Sequence, residues 1–283
     1  MCLTMCMSAS AFLFSVDGIC YETINNDEVE VSSGSDCSEL IDIPSSVTFV
    51  DKTYNVTAIG DYAFHQCSDL TSVTIPNSVT SIGHGAFWEC SGLISVNIPN
   101  SVITIGHQAF SDCSSLTSVN IPNSVITIGD LAFSDCSSLT SVNIPSSVTS
   151  IGGLAFYRSA NLTVITCHIA TPPSIGVCTF ENYDATLYVP ASSVALYQAA
   201  DYWKNFYIQS LPETELDYTL ADKGVIYCNQ IVYNENGLDI MLFDASGRMI
   251  SSGNGNIDMS SCPTGIYIVT DGKGGILKVN HYR

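Results

Sequence analysis

The sequence predicts a mainly β fold with short helical turns: a solenoid of stacked coils, followed by a small C-terminal antiparallel β-sandwich-like domain. Three observations predict it. A motif recurs every 23 residues through the first half of the chain, with the spine Ile-Gly-x-x-Ala-Phe-x-x-Cys-x-x-Leu-x-x-Val-x-Ile-Pro. Repeats of this length bury their apolar side chains only against their neighbours, which is the condition for a solenoid. Each copy ends in an apolar–polar alternation, the period of a strand with one buried face. After residue 211 the motif is gone, and short β-rich runs with Gly and Pro turns replace it.

The elements follow in chain order. Residues 1–11 are apolar and uncharged and end in the small-x-small run Ala9-Ser10-Ala11. They read as a signal peptide; no basic residues lead it, which points to a start that is either truncated or wrongly chosen. Residues 12–58 read as an N-terminal cap and first repeat. Ser15 to Val31 forms a hairpin around Asp17-Gly18 and then the alternating Val29-Glu30-Val31. Ile41-Asp42-Ile43-Pro44 is a first repeat strand, and Val47 to Thr57 is an inserted hairpin turning at Asp51-Lys52.

Residues 59–167 carry the regular coils. Their isoleucines are Ile59, Ile82, Ile105, Ile128 and Ile151, and their phenylalanines Phe64, Phe87, Phe110, Phe133 and Phe156. In the coil from Val79 to Ile98, Gly83 makes a corner. Ala86, Phe87 and Cys90 form one helical turn with an apolar face. Leu93 then leads into a strand in which Val96 and Ile98 face in and Ser95 and Asn97 face out. Pro99 ends the strand because it has no N–H for a ladder. Cys67, Cys90, Cys113 and Cys136 occupy one position in successive coils. Parallel side chains in a ladder make poor disulfides, so these four read as buried free thiols. The redox states of Cys20, Cys37, Cys178, Cys228 and Cys262 stay open.

Residues 168–211 read as the C-terminal cap. Thr171-Pro172-Pro173 breaks the pattern, Thr186 to Pro190 adds a strand, Ser192 or Ser193 caps a short helix through Ala200, and Trp203 and Phe206 seal the last coil. Residues 212–223 read as a linker. Residues 224–283 form the β domain, with strands at Leu238 to Phe243, Met249-Ile250, Ile266 to Val269 and Ile276 to Val279, and a basic tip of Lys273, Lys278 and Arg283.

Charge narrows the function. The net charge is −19, and no Lys or Arg occurs between Lys52 and Arg158. Nucleic acid is therefore excluded as a partner, since its binding needs clustered cations. No stretch reaches the length of a transmembrane span. Inward positions are apolar, so no catalytic residues and no cofactor are assigned. The residue after each Ile-Gly is Asp61, His84, His107, Asp130 or Gly153. This outer corner is the one place for a hydrolase-type site, but nothing orients the side chains, and no metal is assigned. Trp88 and Tyr157 follow the phenylalanine position and are either anchors or half-buried padding.

The candidate binding residues are the outward strand positions Ser72, Thr74, Ser95, Asn97, Ser118, Asn120, Ser141 and Asn143. They form two columns of small hydroxyls and amides on a flat, wettable face with few exposed aromatics. Such a face suits contact with a protein or glycan, and equally a solvated surface.

The stretch Ile59-Gly60…Ala63-Phe64…Cys67-Ser68-Asp69-Leu70-Thr71-Ser72-Val73-Thr74-Ile75-Pro76 and its copies resemble the BspA-like leucine-rich repeats of bacterial surface proteins. The resemblance covers about Asp36 to Pro212. It implies a right-handed leucine-rich-repeat solenoid, a secreted or cell-surface location, and adhesion to protein or glycan ligands on host or neighbouring cells without enzymatic activity. A structural envelope spacer without a specific ligand is the alternative, and a surface hydrolase a weaker one. Leu242-Phe243-Asp244-Ala245-Ser246-Gly247-Arg248 and Pro263 to Val269 resemble the C-terminal sorting modules of type IX secretion. That resemblance implies a Bacteroidota source and recognition of residues 224–283 by outer-membrane secretion machinery.

Overall fold

The computed structural model describes residues 11–176, 178–211, 225–228, 231–234, 237–244, 248–263, 265–270 and 276–281. Residues 1–10, the expected linker 212–223, Ser246, Gly247, Lys273, Arg283 and the Lys278 side chain lie outside the described residues. The chain divides into two units, residues 1–211 and 212–283.

The first unit is a stack of coils between two sheets. One sheet is parallel throughout. It runs from Leu40–Asp42 through Ser72–Thr74, Ser95–Asn97, Ser118–Asn120, Ser141–Ile144, Val164–Cys167 and Thr186–Val189 to Tyr207–Ser210. The other is built from two-residue strands, Ser81–Ile82, Thr104–Ile105, Thr127–Ile128 and Ser150–Ile151. At its N-terminal end it is prolonged by Lys52–Ile59 and by the strands Glu28–Val31, Ile19–Thr23 and Leu13–Val16. The expected hairpin at Asp17-Gly18 is present, with both residues in the left-handed region. The inserted hairpin turns one residue earlier than expected, between Phe49 and Lys52, with Val50 at φ 49°.

The core is a set of ladders. Phe64, Phe87, Phe110, Phe133, Phe156 and Phe180 stack with successive ring centroids 5.1–5.5 Å apart. The spacing is slightly wider than the roughly 4.8 Å between strands, so each ring follows its own coil. Phe180 extends the ladder one rung past the regular motif. Phe206 meets it edge-on at 5.2 Å and Trp203 tilts against it at 5.6 Å, which closes the apolar column as expected. The helix Val194–Ala199 is present, but the side chain of Ser193 at its N-cap makes no capping bond. The helix is held by the buried Tyr197, whose hydroxyl donates to the Ile169 carbonyl at 2.9 Å.

The turn between the sheets differs from the expected helical turn. Around Ala86 to Cys90 the bonds run Trp88 N–H to Gly85 O and Cys90 N–H to Phe87 O, while Phe87 and Glu89 donate to Ala109 and Ser111 of the next coil. The alternating amides belong to neighbouring coils, so the segment cannot be a helix, which would keep them within the segment. Two residues per coil take positive φ to achieve this. Tyr62, Gln108, Leu131 and Leu154 hold the first position and Gln66, Glu89, Asp112, Asp135 and Arg158 the second, at φ 54° to 63°. A left-handed non-glycine residue costs about 1–2 kcal/mol. The amides of Tyr62, Gln66, Glu89, Gln108 and Asp112 each donate to the following coil at 2.8–2.9 Å, which offsets that cost.

One glycine column sets the separation of the coils. A Cβ on Gly129 would lie 2.6 Å from the backbone carbon of Gly106, and one on Gly152 would lie 2.3 Å from the Asp130 nitrogen. Neither neighbour can move without shifting a whole coil.

The cysteine ladder is confirmed at three rungs and corrected at one. Cys90, Cys113 and Cys136 are buried free thiols. Their Sγ atoms donate to the carbonyls of Phe64, Phe87 and Phe110 at 3.0–3.2 Å. Cys67 is not free. It forms a disulfide with Cys37, Cα atoms 5.0 Å apart. The physical reason is its place at the end of the ladder: no regular coil precedes it, and the cap brings Cys37 into the gap.

The second unit holds two small antiparallel sheets. One joins Val225–Cys228, Ile231–Asn234 and Ile257–Asp258; the other joins Met249–Gly253, Ile240–Asp244, Gly265–Thr270 and Ile276–His281. Val232, Leu242, Met259 and Val269 are among its buried core residues. The pairing of Val225–Cys228 with Ile231–Asn234 was not foreseen from the sequence.

Candidate binding face

The parallel sheet places the candidate residues as the alternation requires. Ser72, Ser95, Ser118 and Ser141 are direct neighbours in register, as are Thr74, Asn97, Asn120 and Asn143. Val73, Val96, Val119 and Val142, between them, point into the core. The serines, Thr74 and Asn97 are exposed; Asn120 and Asn143 are half-buried. Asn143 is tied down, its side-chain oxygen 2.9 Å from Nε2 of His168.

The face is longer than the eight residues. The first column continues from Leu40 at one end to Val164, Thr186 and Tyr207 at the other. The second continues from Asp42 to Thr166, Tyr188 and Gln209. Leu40 is 69% and Tyr207 64% exposed. The polar centre thus ends in Leu40 and Asp42 on one side and takes in Val164, Tyr188 and Tyr207 on the other, which the sequence reading missed. The signal was present in the alternation of Thr186 to Val189, but its register with the repeats was not.

Bordering this face, threonines fasten coil to coil. Thr71 donates its hydroxyl to the Glu39 carbonyl, Thr117 to Ile94 and Thr163 to Thr140, at 3.0–3.3 Å. Their hydroxyls are committed to the scaffold, whereas Ile94 in the same column leaves its side chain exposed.

The opposite corner is structural. Asp61 accepts the backbone N–H of His84 at 2.7 Å, and Asp130 accepts that of Gly153 at 2.7 Å. Each carboxylate satisfies an amide of the next coil. The rings of His84 and His107 stack at 4.8 Å, 5° from parallel, and His84 Nε2 bonds the Tyr62 hydroxyl. Among the described residues, no group of three or more His, Cys, Asp or Glu side chains could hold a metal ion. Trp88 is half-buried, stacked on His65 at 4.6 Å with its Nε1 donating to Asp112 at 3.1 Å.

Burial governs the titration of the interior. Loss of solvent pushes the Cys90 thiol up to about 12 and raises Cys113, Cys136 and Cys167 as well. Burial, with Asp17 nearby, pushes Tyr21 up to about 12. Glu30 is raised by burial and by the charges of Glu22 and Asp61.

Parallel strands linked through stacked turns, with a phenylalanine ladder and one buried leucine per coil at Leu70, Leu93, Leu116, Leu139 and Leu162, define a leucine-rich-repeat solenoid. Residues 57–186 match the BspA type leucine rich repeat region in six copies, and the chain belongs to this family. It is similar to the leucine rich repeat protein TpLRR of T. pallidum, at 30% identity and TM-score 0.50, over 54% of this chain and 70% of that one. It is also similar to a leucine-rich repeat protein from Bacteroides ovatus, at 29% identity and TM-score 0.51, over 70% of this chain and 52% of that one. The chain therefore spans about half of the Bacteroides ovatus protein. No curated protein matches the sequence. No helix among the described residues is long and apolar enough to cross a membrane.

Proposed function

We propose that this chain is a secreted or cell-surface interaction protein, without enzymatic activity, that adheres to protein or glycan ligands on host or neighbouring cells. The observation that carries the proposal is the continuous outward face of the parallel sheet, two columns of side chains in register over eight strands. Such a face is rigid before contact, so binding loses little conformational freedom. Its small polar centre supplies hydrogen bonds, and Leu40, Val164 and Tyr207 supply apolar area at the ends. The test is a variant with Ser95, Asn97, Ser118 and Asn120 all changed to lysine, compared with the parent for adhesion to cultured cells and matrix-coated plates. These side chains point away from the core, so the melting temperature should hold while adhesion falls at least tenfold. Unchanged adhesion would remove this face from the function and favour a plain envelope spacer. For residues 224–283 the proposed role is an address read by outer-membrane secretion machinery. Deleting them should leave the repeat protein inside the cell envelope.

A further inference from the structure

The N-terminal cap finishes only one of the two sheets. The strands from Leu13 to Val31 prolong the sheet of short strands, whereas the parallel sheet stops at Leu40–Asp42. Among the described residues that strand pairs on one side, with Ser72–Thr74. Bond directions identify its spare groups. Ser72 N–H donates to the Glu39 carbonyl at 3.3 Å, and Ile43 N–H to the Thr74 carbonyl at 3.1 Å. Residues 39, 41 and 43 therefore face the ladder. Successive residues of a strand turn their N–H and C=O to opposite edges, so Leu40 and Asp42 turn theirs away. The Leu40 carbonyl accepts the Ser38 hydroxyl at 3.0 Å, a bond exposed to solvent.

This edge forms one wall of a groove of about 470 Å³. Val16, Ile19 and Val47 give the groove an apolar lining, and Asp17, Asp36 and Asp42 place carboxylates around it; among the described residues no Lys or Arg lines it. The Cys37–Cys67 disulfide fastens the chain just before the edge strand to the first regular coil, so the edge is held in place.

We propose that this groove binds an extended basic peptide, which adds a strand to Leu40–Asp42. The chemistry of the occupant follows from the walls. Main-chain groups of an extended segment match the spare N–H and C=O groups, as in other cases of strand addition. Alternate side chains meet the apolar lining and must be small or branched and apolar. The side chains between them lie near the carboxylates and carry Lys or Arg, which suits a chain of net charge −19. The site is an edge rather than the face of the sheet, so it stands or falls separately from the proposed adhesion face.

The test titrates the full chain with a capped hexapeptide of alternating valine and lysine. Controls are the same peptide with glutamate for lysine, and one with a methylated backbone. Amide hydrogen exchange is read over residues 36–48. The lysine peptide should bind and slow exchange of the Leu40 and Asp42 amides at least tenfold. Methylation should weaken binding at least tenfold, and D42N severalfold. D42P removes an outward N–H and a carboxylate while leaving the ladder intact, and should also weaken binding at least tenfold. If D42P unfolds the cap, D42N and the methylated peptide still decide the matter. Equal binding of the glutamate peptide, no binding of the lysine peptide, or binding without protection at Leu40 and Asp42 would overturn the proposal. So would protection of these amides in the free chain, which would mean that residues 1–10 or a second copy already fill the groove.

Discussion

Ser159 donates its hydroxyl to the Phe133 carbonyl at 2.9 Å, and so occupies the place that Cys136 holds against Phe110 one coil earlier. From Cys90 to Ser159 the ladder position therefore holds a small donor aimed at an earlier phenylalanine carbonyl, whereas the end rung, Cys67, is disulfide-bonded.

Cys113→Ser should then be tolerated better than Cys113→Ala. Alanine removes the donor and leaves a small void, and should cost about 1–2 kcal/mol. Serine keeps the bond and should cost less than half as much. Urea unfolding of the two variants measures the difference, and equal losses would show that the bond contributes nothing.

Phe110→Ala, in the middle of the ring stack, should cost about 3–5 kcal/mol. Both neighbouring rings lose a stacking partner as well as the buried area. A loss of unfolding free energy below about 1 kcal/mol, read from urea denaturation, would contradict the buried, stacked position of this ring.

Reduction of Cys37–Cys67 should destabilise the N-terminal cap by about 2–4 kcal/mol, as expected for a bridge closing a loop of about 30 residues. The effect should appear first as faster amide exchange in the cap, before the central coils respond. Cys37→Ser should reproduce it, and reductant should then add nothing.

The buried thiols predict sensitivity to alkali. Their folded-state pKa values lie above that of a free thiol, near 8.5. Their contribution is full below that pH and is lost as pH rises toward about 12 for Cys90. Each thiol should cost up to about 1.4 kcal/mol per pH unit across that window, because only the unfolded chain can release the protons. Unfolding free energy measured from pH 8 to pH 10.5 should fall steeply in the parent and less in a variant with Cys90, Cys113 and Cys136 changed to serine.

The repeat ladders were legible in the sequence because Phe64 to Phe156 keep one period, and period alone decides which side chains stack. Phe180 escaped notice because it follows Phe156 by 24 residues, after the Thr171-Pro172-Pro173 interruption. The disulfide escaped because pairing depends on which side of a rung is vacant, and Cys37 lies outside the period. Asp61 and Asp130 read as having nothing to orient them; their partners are amides one coil away. The columns of the face were legible for the same reason as the core, since alternation fixes both sides of a strand. Its aromatic end was not, because Tyr207 joins the sheet only through tertiary register.

The glycine column also constrains how such a gene can change length. Gly106, Gly129 and Gly152 each rest against the backbone one coil earlier, so every coil is an interchangeable spacer for the next. Gain or loss of a whole 23-codon unit keeps the phenylalanine and glycine columns in register, whereas a shift of a single codon would push a side chain into main chain. Recombination between copies can therefore vary the reach of the molecule in fixed steps while leaving its cross-section unaltered.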